Sequence, residues 1–162
     1  MEREEIVARI FRFLDRIGIA HRERTPLEGT FLPGITIDGG TVYVDPGRLR
    51  YPGDLLHEAG HIALAPPTER AQLDQAVLGS RPAHQSEEVG VLLWTYFAAK
   101  EAGVPLETIF HAGGYKGESA WLVEQFESGT LIGLPLLSWM GVTETDASGV
   151  VRVRSWLRCT EP

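Results

Sequence analysis

The sequence predicts an α+β domain, and three features carry that expectation. Amphipathic helical segments lie at the start and past the middle of the chain, a hairpin centred on Gly39-Gly40 stands between them, and β-type residues dominate the C-terminal third. With 162 residues the chain is long enough to bury a core without disulfides, so one domain over residues 1–162 is expected.

Each element follows from local pattern. From Glu2 to Ile17, apolar residues recur at Ile6, Ile10, Phe13, Leu14 and Ile17, the spacing of one helical face, and Gly18 ends the run. Short β-type runs cover Ile19 to Arg24, Ile35 to Asp38 and Thr41 to Asp45, the last two joined as a hairpin by the glycine pair. Thr41 to Asp45 stands either at a sheet edge, open to an extended peptide, or inside the sheet. After the turns Asp45-Pro46-Gly47 and Tyr51-Pro52-Gly53, Asp54 is placed to cap a helix from Leu55 to about Ala65, where Pro66-Pro67 stops it.

The polar segment 68–85, in which Thr68 to Leu73 reads as the start of a short helix, is a candidate lid. Ser86 then caps a long helix through Ala102, with Val89, Leu92, Leu93, Tyr96 and Phe97 on one face and Gly103 closing it. A short helix from Pro105 to Phe110, a glycine-rich loop from Gly113 to Gly117 and a helix from Glu118 to Glu127 come next. Leu134 to Thr143 and Val150 to Leu157, parted by the turn-like Asp146 to Gly149, read as a C-terminal hairpin. Trp94, Trp121, Trp139 and Trp156 sit in apolar surroundings and read as packing residues.

Charge and composition exclude several classes of function. A formal charge of −7 repels phosphate backbones, and the only dense basic stretch is Arg152, Arg154 and Arg158, so nucleic acid is not an expected partner. No apolar run reaches membrane-spanning length, and the first residues are charged, which points away from membranes and to the cytoplasm. Cys159 is the single cysteine and forms no internal disulfide, in keeping with a reducing compartment.

The segment His57-Glu58-Ala59-Gly60-His61 carries the chemistry. Two histidines four apart on a helix project from one face and chelate one ion through neutral nitrogens. Glu58, next to the first of them, flanks that ion as a general base able to take a proton from water activated by the metal. Gly60 costs the helix roughly 1 kcal/mol relative to Ala, which suggests close approach of another backbone or a substrate. Two imidazoles bind zinc weakly, so a third protein ligand is expected. Glu88 is the first choice, being nearer the face expected to pack inward; Glu87 is the alternative, and His84 and Glu124 are the remaining options. A donor to a developing oxyanion is sought in His111 and Tyr115, which flank Gly113-Gly114.

These residues resemble the HExxH zinc peptidases (zincins), and in particular the gluzincin branch. Ile62-Ala63-Leu64-Ala65-Pro66-Pro67 follows His61, so the His-x-x-Gly-x-x-His continuation of the metzincins is absent. Leu55 to Leu64, with Ser86-Glu87-Glu88 and the helix ending in Phe97-Ala98-Ala99, is similar to the small ImmA/IrrE-type bacterial metallopeptidases, over roughly residues 35 to 102. Val89-Gly90 replaces the Ala-Asn that commonly follows the ligand glutamate there. The resemblance implies a small zincin-like α+β domain with a short antiparallel sheet, zinc held by His57, His61 and a glutamate at the start of the downstream helix, Glu58 as base, and a peptide or protein substrate. A catalytically silent zinc-binding regulatory or interaction module is the alternative expectation.

Overall fold

The first helix forms where the apolar spacing places it. Helix α1 spans Arg3–Ile17, buries Ile6, Ile10, Phe13 and Leu14, and ends at Gly18, whose φ of 83° lies in the left-handed region that glycine tolerates. The structure, a computed structural model, describes residues 1–80 and 84–162, the side chains of residues 84 and 85 excepted. His84 as a ligand therefore lies outside the described side chains.

Strands β1 (His21–Glu23), β2 (Ile35–Asp38) and β3 (Thr41–Val44) form one sheet in the order β1-β3-β2, and it is mixed rather than antiparallel as expected, with β1 parallel and β2 antiparallel to β3. Gly39 and Gly40 turn the β2–β3 hairpin with φ of 55° and 68°, as a tight two-residue connection demands. Strand β3 is the central strand, so the edge position considered for Thr41 to Asp45 does not hold; the edges are β1 and β2. The parallel pairing of β1, returned through the long loop after Glu23, closes that side.

Helix α2 (Asp54–Leu64) packs on β2 and β3 and is buried on nearly every side. Helix α4 (His84–Ala102) crosses it on the other face, beneath α1. Between them run a 3-10 turn at Arg70–Gln72 and helix α3 (Gln75–Ser80), so the helical start read at Thr68 arrives later and in two pieces. The α4 helix begins two residues before Ser86, which is thus not its cap. Its face also differs from expectation: Val89 is exposed, and Val91, Leu93, Trp94, Thr95, Tyr96, Ala98 and Ala99 are buried. A helix packed against α1, α2 and the later helices buries more than one stripe.

Helices α5 (Leu106–Ile109), α6 (Ser119–Glu127) and α7 (Leu134–Trp139) follow, and strands β4 (Thr143–Thr145) and β5 (Val151–Val153) form a C-terminal antiparallel hairpin. The chain is thus a mixed α+β domain with seven α-helices among the described residues, a three-stranded sheet and that hairpin. The β-type run expected from Leu134 is a helix as far as Trp139. Pro135 fits a first helical turn and Leu137 and Met140 turn into the core, whereas apolar content alone does not separate a buried helix from a strand. Among the described residues no helix is long and apolar enough to cross a membrane.

One core runs from Ile6 to Val142 through all these layers. Trp94 lies fully buried in it, donates its indole N–H to Trp156 O at 3.0 Å and meets the Trp156 ring edge-on. Trp121 and Trp139 are exposed, the latter beneath the Arg158 guanidinium. The α2–α4 crossing is tightest at Gly60, where an added Cβ would stand 3.0 Å from Val91 Cγ1 and 3.1 Å from Trp94 Cε3. The purpose of Gly60 is therefore helix approach. Gly60→Val should lower stability by about 1–3 kcal/mol in urea unfolding, since the added methyls find no space in a closely packed crossing.

Candidate metal centre

The α2 helix brings His57 and His61 to one side, and the Gly60 crossing lays the first turns of α4 beside them. Glu88 shares the α4 stripe of Val91 and Thr95, the residues that face Gly60. Its carboxylate therefore meets both imidazoles. His57 Nε2 stands 3.0 Å from Glu88 Oε1, His61 Nε2 3.5 Å from Glu88 Oε2, and the two Nε2 atoms are 3.2 Å apart.

These separations can be tested against an ion. Four ligands at the usual zinc bond lengths of about 2.0–2.1 Å stand at tetrahedral corners roughly 3.3 Å from one another. The separation of the two imidazole nitrogens lies close to that value, Glu88 meets each imidazole through a different oxygen, and one donor atom from each of the three residues lies within 4.8 Å of the others. His57, His61 and Glu88 could hold a metal ion.

Glu87 is placed elsewhere. Its side chain turns to the buried Arg158, 3.8 Å from Nη1, and that arginine binds the end of α2 through its N–H to Ala63 O (2.8 Å) and Nη1 to Leu64 O (3.3 Å). Adjacent glutamates thus divide the work: Glu87 ties α4 to the C-terminal segment, and Glu88 faces the histidines. Glu124 is exposed on α6 and is not part of the histidine group.

Glu58 sits beside His57 at 4 % exposure, and its Oε2 has no hydrogen-bond partner. Burial pushes its carboxyl up to about 7; His57 opposes the rise, Glu88 and Asp54 add to it, and a hydrogen bond from Gln75 draws it back. For His57, burial lowers the imidazole, but the hydrogen bond to Glu88 and the charges of Glu88, Glu58 and Asp54 outweigh it, so the net shift is upward. The pocket draws positive charge to the point where the three donors meet. A buried carboxyl with an unpartnered oxygen next to this donor set is what a cation, and a proton carrier beside it, would use.

The expected oxyanion donors take different places. Tyr115 reaches the site, its hydroxyl 3.5 Å from His57 Nδ1. Burial, reinforced by the carboxylates of Asp54, Glu88 and Glu58, raises the Tyr115 phenol, so it stays a neutral O–H. With Nε2 given to a cation, His57 would carry its ring proton on Nδ1, the side on which the Tyr115 oxygen stands. Tyr115 and Lys116 have φ of 55° and 54°, a left-handed backbone that non-glycine residues seldom adopt. His111 anchors the loop: its Nε2 is 2.9 Å from Asp54 Oδ1, its ring stacks on Tyr51 at 3.8 Å, and its carbonyl accepts from Ser119 Oγ.

Asp54 was therefore misjudged as a helix cap. It is the first residue of α2, makes no capping hydrogen bond, and holds His111 instead. The sequence offered no local sign of that pair, of Gln75 beside Glu58, or of Arg158 behind Glu87. No protein-family model, no curated protein and no solved structure matches the chain.

Two outcomes test the centre. Glu88→Ala should weaken zinc binding on the order of 100-fold in a competition titration, with Glu87→Gln within a few-fold of the native chain, because only Glu88 faces the imidazoles. Glu58→Gln should stabilise the metal-free protein in a pH-dependent way. A carboxyl raised from 4.5 to about 7 binds its proton more tightly folded than unfolded, so native stability falls, relative to the uncharged variant, as pH rises through that interval. The gap should be near zero below pH 4.5, open to ~3 kcal/mol by pH 8, and shrink when zinc is added, read by denaturant melts across pH.

Proposed function

We propose that the chain is a zinc-dependent hydrolase that cleaves peptide bonds, organised like a small gluzincin. The observation that carries this is the convergence of His57, His61 and Glu88 on one point beside a buried Glu58 with an unpartnered oxygen. His57, His61 and Glu88 would hold the ion. A zinc ion there supplies Lewis acidity, acidifying water and polarising a carbonyl oxygen.

The chain's own residues supply proton transfer and positioning. Glu58, buried beside His57 with one oxygen unpartnered, accepts a proton from the attacking water and returns it to the departing amine. The donor set is purposeless for a purely structural ion, because closed structural sites take four protein ligands and need no base. Tyr115 keeps a neutral hydroxyl beside His57 and supplies a donor for developing negative charge on the substrate oxygen. His111 and Asp54 act through Tyr115 as positioning residues, since their hydrogen bond fixes the loop that carries it.

The low exposure of His61 and Glu58, 5 % and 4 %, favours a second reading in which the centre binds metal without turnover. One comparison separates the two. Glu58→Gln should retain zinc and lose peptide cleavage by about 10²–10⁴-fold, and metal held by both proteins with cleavage by neither would establish the silent module. In the active case Tyr115→Phe should lower kcat by about 10²–10³-fold with little change in zinc content, measured on the same peptides.

A further inference from the structure

The outer edge of β2 is where backbone groups need partners. Asp45 N–H donates to Gly34 O at 2.9 Å, which sets the alternation of the β2–β3 ladder and turns the N–H groups of Ile35 and Ile37 away from β3. Ile35 N–H is met by Leu32 O at 3.2 Å, a backbone contact within the same loop. Ile37 N–H is met by a side chain, Gln75 Oε1, at 3.4 Å.

The residues leading to Gln75 lie along the hairpin. Leu73 is buried and its carbonyl accepts from Gly40 N–H at 2.9 Å, while a Cβ on Gly40 would strike the Arg70 carbonyl. Arg70 in turn clasps the end of α2, donating to Ile62 O and Ala65 O, both at 3.2 Å. This strap is fixed up to Leu73. Beyond it, Gln75 reaches the sheet through its side chain alone among the described hydrogen bonds, as the first residue of the short helix α3.

A glutamine side chain ends in a primary amide, with the same acceptor and N–H donor as a peptide group. At Ile37 its carbonyl takes the hydrogen bond that the carbonyl of an added β-strand would take. We propose that Gln75 is a self-blocking residue: its amide occupies the peptide position on the β2 edge at Ile37, and an extended peptide entering the site displaces it. The proposal names the backbone docking point for the substrate class and rests on the hydrolase reading for what happens next.

The test uses the full zinc-loaded chain, its Gln75→Ala and Gln75→Asn variants, and a blocked hexapeptide of alternating threonine and valine as an extended probe. Asparagine keeps the amide but is one methylene too short to reach Ile37. In both variants Ile37 amide hydrogen exchange should rise roughly five-fold or more, the equivalent of one lost hydrogen bond, with Gly40 exchange unchanged as the sign that the strap is intact. The peptide should protect Ile37 in the variants at about five-fold lower concentration than in the native chain. Unchanged Ile37 exchange in both variants, or no protection of Ile37 by the peptide in either, would overturn the role of Gln75. Zinc content and cleavage are read in parallel: protection without cleavage keeps the plug and removes the hydrolase, and cleavage without protection does the reverse.

Discussion

The centre depends on how closely two helices approach. The α2 and α4 helices cross over Gly60, where the side chains of Val91, Trp94 and Thr95 fill the room a Cβ would take. That approach decides the position of Glu88, which lies one and two turns before Val91 and Thr95 on the same α4 stripe. A wider crossing would carry the carboxylate away from both imidazoles at once. The glycine's helix-propensity cost of roughly 1 kcal/mol is offset by the packing it permits and by the ligand it delivers.

Electrostatics then follow from burial. Asp54, Glu58 and Glu88 surround His57 with negative charge in surroundings that screen it weakly. Two groups respond in the same direction for different reasons. Glu58 rises because its anion is poorly solvated, and His57 rises because the neighbouring anions favour its cation over the pull of burial. Their common preference is for added positive charge, the condition under which a divalent ion binds well.

The local features were legible and the long-range ones were not. His57, Glu58 and His61 could be placed because helical spacing alone sets their relation, and the Gly39-Gly40 hairpin because a tight turn needs positive φ. Glu88 was preferred over Glu87 for a reason the structure revises: Val89, expected inward, is exposed, and Glu88 faces the histidines through the Val91–Thr95 side instead. Asp54 with His111 and Ile37 with Gln75 join residues far apart in the chain, and no periodicity encodes such pairs. Leu134 to Trp139 was misread because a short apolar run carries no period of its own.

Both ends of α2 are held by contacts from other segments of the chain. At the start, Asp54 is bound to His111 and the α5 backbone lies directly over Gly53. At the finish, where four carbonyls lose their helical partners, Arg70 and Arg158 supply donors from two separate segments, one from the strap and one from beyond the C-terminal hairpin. Between these ends the helix is enclosed by the sheet and α4. In a structural zinc site the ion does the folding and the ligands are otherwise loose. Here packing and caps fix α2 and α4 through contacts that bypass His57, His61 and Glu88, so the positions of the three donors are set by the same interactions that set the helix crossing.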